Sequence, residues 1–123
     1  MTRQESILAL GKEICRAAEG EEALLGLLCT AAEGAWTGRL RPGVRPEDCE
    51  ETLRCACAFT AAAGILRSRG GSGTPGFTAG SVSVRAGGAG EAEGAARALE
   101  AQAAALMAPW RGEADFAFQG VRG

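Results

Sequence analysis

Apolar residues recur every three or four positions along four stretches of the chain, which is the spacing of one face of an α-helix. The first stretch, about residues 3–19, places Ile7 and Ile14 on one stripe and ends before Gly20, a natural terminating position. The second, about residues 21–39, begins with two glutamates that suit the positive end of a helix dipole. The turn between them is short, so we expect these two helices to be close neighbours.

Proline and glycine bound the third and fourth predicted helices. Helix three covers about residues 46–69, with Pro46 in its first turn. Its middle carries few charges, so we expect it to be the central, most buried helix. Helix four covers about residues 91–108 and stops at Pro109, because proline cannot continue a helix.

Between helices three and four, the glycine-bounded segment GFTAGSVSVRAGG has a strand-like alternation over residues 77–84. Strict alternation would split its apolar side chains between two faces. One extra residue next to Gly80, a bulge that glycine tolerates, would bring Phe77, Val82 and Val84 onto the same face. We therefore predict a strand with a bulge or kink at Gly80 and one apolar edge.

The C-terminal tail, residues 110–123, contains a second strand-like pattern around Phe116 and Phe118. This alternation suits an edge strand. Residues 115–121 could pair with residues 77–84 of the same chain or of another chain, and the pattern fits both equally. The two strand-like segments are therefore candidate contacts between subunits or with a partner protein.

Together these elements define one domain over residues 1–123. Its predicted fold class is mainly α: a four-helix bundle-like domain with a short β-strand or hairpin between helices three and four and a strand-like tail. Leu, Ile, Val and Phe supply less than about a fifth of the chain, and alanine makes up most of the remaining apolar content. We therefore expect closely packed helices with a thin core, which favours self-association because a partner chain buries what a monomer leaves exposed.

Charge and hydropathy exclude several classes of partner. The net charge of -2, with Arg and Glu interspersed, leaves no electrostatic footprint for wrapping a nucleic acid. No apolar run approaches a membrane span, and the N-terminus lacks the apolar stretch of a secretory signal, so we predict a cytoplasmic protein. Five cysteines, an odd number, suit a reducing compartment in which thiols pack as small apolar residues.

Candidate chemistry is sparse. The chain contains no His and no Tyr, which removes the commonest general base and metal ligand. GSVSV, residues 80–84, does not match a nucleophile elbow, and GGSGTPG lacks the lysine of a phosphate-binding loop. The thiols of Cys55 and Cys57 would point about 200° apart on a helix, poor geometry for one zinc ion. We therefore predict no catalytic residue, no metal ligand and no cofactor.

The order of these elements resembles the small head–tail connector or adaptor proteins of tailed phages and prophages. Two motifs carry the resemblance: FTAGSVSV at residues 77–84 and the helix end QAAALMAPW within residues 99–110. The resemblance implies a non-enzymatic structural protein of virion assembly. In that family a ring of identical subunits docks beneath the portal of a filled capsid, extends the DNA channel and receives the tail.

The resemblance also implies the partners and the location. The partners would be other copies of the chain, the portal, and neck or tail proteins, with DNA only passing through the channel and no membrane contact. The protein would lie in the host bacterial cytoplasm during assembly and then in the virion. Together with the tail pattern, the resemblance yields these candidate interface residues: Phe77, Gly80, Val82, Val84, Trp110, Phe116 and Phe118.

A second interpretation is a small helical bacterial protein that binds a ligand or regulates a partner. The site would be a groove near Trp36, Trp110 and the helix ends. Trp110 by itself fits a core position or a binding anchor. A ring in which residues 77–84 or 115–121 contact a neighbour would favour the connector, whereas a monomer with both strands paired internally would weaken it.

Overall fold

The computed structural model describes residues 2–72 and 78–112, and the side chains of residues 2–70 and 90–112. Over these residues the chain forms four α-helices and two short 3₁₀ helices. The α-helices are α1 (Arg3–Cys15), α2 (Glu22–Gly38), α3 (Glu50–Ser72) and α4 (Thr78–Met107), and the 3₁₀ helices are Glu19–Glu21 and Pro46–Cys49.

The predicted mainly helical, bundle-like architecture is confirmed, and α3 is its central helix. α3 packs against α1, α2 and α4, whereas α4 packs mainly against α3. The buried side chains of α3 are mostly small, so the thin, alanine-rich core that composition predicts is also present. They are Leu53, Ala56, Cys57, Ala58, Ala61, Ala62, Ala63 and Ile65.

Two glycines allow α2 to lie close to its neighbours. A Cβ at Gly64 of α3 would lie 2.8 Å from Cδ1 of Leu28 in α2, closer than Cβ atoms pack. A Cβ at Gly11 of α1 would lie 3.3 Å from Cδ1 of Leu25, which is fully buried. The position of α2 therefore depends on a glycine in each of the two helices that it contacts, because a larger residue would crowd its leucines.

Trp36 fixes the rotation of α2 on α3. Its ring is buried in the core, and its Nε1 donates a hydrogen bond to Oγ1 of Thr60 at 3.0 Å. The Thr60 hydroxyl in turn donates to the carbonyl oxygen of Ala56 at 2.8 Å. Among the described side chains, no buried nitrogen or oxygen lacks a hydrogen-bond partner. Trp36 is thus a core residue rather than the wall of a groove.

Arg69 of α3 caps the end of α1. Its guanidinium donates to the two carboxylate oxygens of Glu21, at 2.7 and 2.8 Å, and to the carbonyl oxygen of Cys15 at 2.9 Å. The last carbonyls of a helix have no partner within the helix, so a charged donor from a neighbouring helix stabilises them. The hydrogen bonds from Arg69 hold the pKa of Glu21 at about 2.

Arg3 joins three helices at the opposite end of the bundle. It donates to both carboxylate oxygens of Glu50 in α3 at 2.7 Å, and to Glu33 of α2 at 3.1 Å. Arg54 also donates to Glu50, at 2.8 Å. These hydrogen bonds, with that from Arg3 the strongest cause, hold the pKa of Glu50 at about 2.

Two sets of contacts hold α4 in place. Arg67 of α3 donates to Glu93 at 2.9 Å and to Glu100 at 3.0 Å. Beyond the end of α4, Arg111 forms an antiparallel β-bridge with Leu40, which follows α2. α4 is therefore joined to α3 by ion pairs and to the segment after α2 by the bridge.

Local capping accounts for the ends of α1. Thr2 accepts a hydrogen bond from the backbone N–H of Glu5 at 3.1 Å, and the Glu5 carboxylate accepts one from the backbone N–H of Thr2 at 2.9 Å. Arg16 has a φ of 51°, in the left-handed region, which stops the helix before the predicted end at residue 19. The predicted third helix likewise opens with the 3₁₀ turn Pro46–Cys49.

The predicted strand between helices three and four is wrong where the structure describes it. Residues 78–84, with Gly80, Val82 and Val84, belong to α4, so the bulge at Gly80 and the hairpin are wrong too. A strand needs a partner to satisfy its backbone, and no named strand occurs within residues 2–72 and 78–112. A helix satisfies the same groups internally. The strand-like tail beyond Gly112 lies outside the described residues.

We expect acid to destabilise the fold through the two arginine–glutamate clusters. Because the pKa values of Glu21 and Glu50 are about 2, against an ordinary 4.5, the unfolded chain binds more protons between those pH values. The stability that these carboxylates contribute is therefore present above about pH 4.5 and is lost as the pH falls toward 2. Urea unfolding at a series of pH values would measure this loss.

The matched variants are Glu21→Gln and Glu50→Gln, with Glu47→Gln as the control because Glu47 is exposed. Each of the first two should lower stability at neutral pH and flatten its dependence on pH, whereas the control should retain the wild-type slope. If the stability of both Glu21→Gln and Glu50→Gln depends on pH as that of the wild type does, the two arginine–glutamate clusters do not contribute to stability.

Candidate functional site

An open groove of about 420 Å³ runs along the surface between α1 and α3. On α1 its lining residues recur at spacings of three and four, on a face next to that of the buried Ile7. On α3 they come from the first turns of the helix. The lining residues are Ser6, Ala9, Leu10 and Glu13 from α1, and Glu51, Arg54 and Cys55 from α3.

The groove combines apolar side chains with charged ones. Leu10 is 37% exposed, although its spacing assigns it to the apolar stripe of helix one. Glu13 and Glu51 are exposed carboxylates. The cation among the lining residues, Arg54, is engaged by Glu50 at 2.8 Å and donates to the hydroxyl of Ser6 at 3.2 Å. This arrangement suits an apolar or basic side chain of a partner better than an anionic ligand.

The hydroxyl and the thiol in the groove are not arranged as nucleophiles. Oγ of Ser6 accepts its hydrogen bond from the guanidinium of Arg54, which cannot take up a proton. Cys55 is half-buried, and the chain has no His to act as its base. The groove therefore offers contact surface without an activated side chain.

The other four cysteines are buried and pack as small apolar residues, as the sequence predicts. Burial raises the pKa of Cys29 to about 11 and that of Cys57 to about 12, and it also raises the pKa of Cys15 and Cys49. The thiolate is the reactive form of cysteine, so burial slows the reaction of these four side chains at neutral pH. No cluster of His, Cys, Asp and Glu within the described residues could hold a metal ion.

Among the predicted interface residues, Trp110 is the one whose side chain the structure describes. It is half-buried against the core, and its carbonyl oxygen accepts a hydrogen bond from the backbone N–H of Arg41 at 2.9 Å. Its position fits a core plug at the end of α4, away from the groove. The other predicted residues lie in the first part of α4 (Gly80, Val82, Val84) or outside the described residues (Phe77, Phe116, Phe118).

A second surface that the periodicity does not predict is the outward face of α2. We define it by eight exposed residues: Ala23, Leu24, Leu27, Thr30, Ala31, Gly34, Ala35 and Gly38. The signal in the sequence is the scarcity of charge, since Glu22 and Glu33 are the charged residues of this helix and neither belongs to the outward face. Surface helices normally carry charged or polar residues on the side away from the core, and this face carries no charge.

Comparisons with protein-family models, with curated proteins and with solved structures found no match for this chain. A search of the described helices for a span that is long and apolar enough to cross a membrane found none. Function is therefore inferred from the residues and from the geometry of the two surfaces.

Cys55 should be the first thiol to react in the native protein. Treatment with Ellman's reagent at neutral pH should show one fast thiol and four slow ones, because Cys55 is half-buried and the other four are buried. Denaturant should release all five.

The variant Cys55→Ser should abolish the fast phase. Cys49→Ser, which changes a buried thiol near the start of α3, should leave that phase intact. Two or more fast thiols in the native wild type would contradict the burial described for the other four cysteines.

Proposed function

We propose that this protein is a non-enzymatic assembly protein of a phage or prophage, a head–tail connector or adaptor that forms a ring beneath the portal. The observation that carries the proposal is the groove between α1 and α3, which presents Leu10 beside charged side chains but no activated nucleophile. A surface of this kind favours contact with another protein over chemistry on a small substrate.

The helical fold and the order of motifs support the same class. The closing helix end of residues 99–110 forms the last part of α4 and the turn after it, and Met107 is fully buried in the core. Because residues 78–84 are helical, the contacts of a ring at this segment would be made by helix packing rather than by strand addition. DNA would only pass through the channel, in keeping with the net charge of -2.

The proposed location follows from the proposed class. The protein would be made in the host bacterial cytoplasm, would bind the portal and the neck or tail proteins there, and would remain in the virion. Genes for the portal and capsid upstream of its own gene, and tail genes downstream, would agree with this assignment.

Binding to the portal tests the proposal. The chain should co-elute with the portal protein encoded in the same genome, and electron microscopy of the complex should show an added ring of density. Leu10→Glu should weaken binding at least about tenfold, because it places a charge among apolar contacts of the groove.

Ala101→Glu is the control, because Ala101 is an exposed residue of α4, which does not line the groove. Both variants should melt as cooperatively as the wild type. Failure of the wild-type chain to bind that portal, or equal binding by the Leu10→Glu variant, would contradict the proposal.

The same groove supports a second candidate, a small helical protein that binds a ligand or regulates a partner. Its site would be the α1–α3 groove rather than the predicted region of Trp36 and Trp110, because Trp36 is buried in the core. Slower alkylation of Cys55 in the presence of a dialysable extract of bacterial cells, freed of small thiols beforehand, would favour this candidate over the connector.

A further inference from the structure

The outward face of α2 exposes two large apolar side chains and carries no charge. Leu27 is 70% exposed and Leu24 is 38% exposed. Thr30 is the polar member of the face, and its hydroxyl donates to the carbonyl oxygen of Gly26 within the same helix at 3.2 Å. The residues of this face that are exposed to solvent are therefore mostly apolar or small, and none is charged.

The inward side of α2 is also apolar. Leu25, Cys29, Ala32 and Trp36 face α1 and α3 and are buried. A surface helix of a soluble protein normally shows charged residues on the side away from the core, and a helix that is apolar all round is normally buried. α2 thus has the residue pattern of a helix that other elements cover on both sides. In this chain, α1 and α3 cover only its inward side.

The sizes of the exposed residues indicate which surface would cover the outward face. Large residues, Leu24 and Leu27, occupy its N-terminal half, and small residues, Gly34, Ala35 and Gly38, occupy its C-terminal half. A second α2 lying antiparallel would set the leucines of each helix against the small residues of the other. A parallel arrangement would oppose leucine to leucine and glycine to glycine, which leaves a gap at one end.

The charges beyond the two ends of α2 favour the same direction. Glu19 lies before its N-terminal end, beside Glu22, which pairs with Lys12 of α1 at 3.2 Å. Arg39 and Arg41 follow its C-terminal end, and Glu19, Arg39 and Arg41 are all exposed. An antiparallel pair brings the acidic end of one helix next to the basic end of the other, and a parallel pair brings like charges together. The guanidinium of Arg39 lies over the Trp36 ring, 5.2 Å from its centre, and this cation–π contact orients the Arg39 side chain.

From this complementarity of size and charge, we propose that the outward face of α2 binds a second copy of this chain, forming an antiparallel, two-fold symmetric α2–α2 pair. Ala31, close to the middle of the helix, lies at the two-fold axis. An isologous pair closes on itself and does not extend into a ring. The pair is therefore a state of the free protein that is distinct from the proposed ring, and the inference does not rest on the proposed function.

The size of the face sets the expected affinity. A helix of 17 residues is about 25 Å long, so a single helix pair buries an area at the low end of specific interfaces. Interfaces of this size are commonly weak and transient. We therefore expect association in the micromolar range and a sedimentation coefficient that rises with concentration.

Sedimentation velocity on the full chain, from about 1 to 200 μM, tests whether the pair exists. The wild type should change from monomer to dimer over this range. Leu27→Glu should remain monomeric throughout, because it would bury a carboxylate within the contact, one turn from the two-fold axis. The control Ala101→Glu, on an exposed position of α4, should dimerise as the wild type does.

Disulfide cross-linking tests the direction of the pair. In a Cys55→Ser background, which removes the half-buried thiol, Ala31→Cys should cross-link to itself under mild oxidation. Leu24→Cys should not, because its two copies would lie about 21 Å apart along an antiparallel pair. A mixture of the Leu24→Cys and Gly38→Cys proteins should give the mixed disulfide.

The sedimentation and cross-linking experiments distinguish the antiparallel pair from other partners of the outward face. A wild type that stays monomeric at 200 μM would overturn the proposal and leave the face to a different protein. A dimer that survives Leu27→Glu would place the contact elsewhere, and a Leu24→Cys homodimer would show a parallel pair. Circular dichroism melts that match the wild type would establish that each variant is folded, so loss of the dimer reports on the contact itself.

Discussion

The close approach of α2 to α3 at Gly64 is the contact on which the rest of the molecule depends. The core contains few large side chains, so it gains apolar burial by bringing helix backbones together rather than by filling a wide space. Leu28 occupies the volume that a side chain at position 64 would take. This contact and the hydrogen bond from Trp36 to Thr60 fix both the distance and the rotation of α2. They also determine that Leu24 and Leu27 face outward.

Charged residues in this protein organise the ends of helices rather than its core. Arg3 and Arg69 lie at opposite ends of the bundle. Each donates hydrogen bonds to carboxylates from other parts of the chain. Partly exposed pairs of this kind contribute modestly to stability, but bidentate geometry makes them selective for one arrangement of helices. With Arg3 and Arg69 engaged in this way, the groove beside Leu10 and the outward face of α2 are the two apolar surfaces on which the proposed contacts depend.

Hydrophobic periodicity predicted the helices well because each helix carries a stripe that its neighbours bury. It placed α2 within a residue of its observed ends, and it identified α3 as central from the scarcity of charge in its middle. It failed at residues 78–90, which form the first part of α4 although helix four was predicted to begin at about residue 91. Within residues 78–84, the alternation of two valines is too short to distinguish a strand from a helix. The groove was not predictable, because Leu10 lies on the edge of an apolar stripe and its exposure depends on where α3 passes. The charge-free outward face of α2 was visible in the sequence, but only packing shows which side of the helix is left uncovered.

The most direct test of this account is the free energy of unfolding of Gly64→Val, measured by urea denaturation beside Gly94→Val. A side chain at position 64 must displace Leu28, whereas position 94 of α4 has no atom within 4 Å of the added Cβ. Gly64→Val should lose about 1 to 3 kcal/mol of stability, and Gly94→Val should change it little. Equal stability of the two variants would contradict the claim that close packing of α2 on α3 holds the fold together.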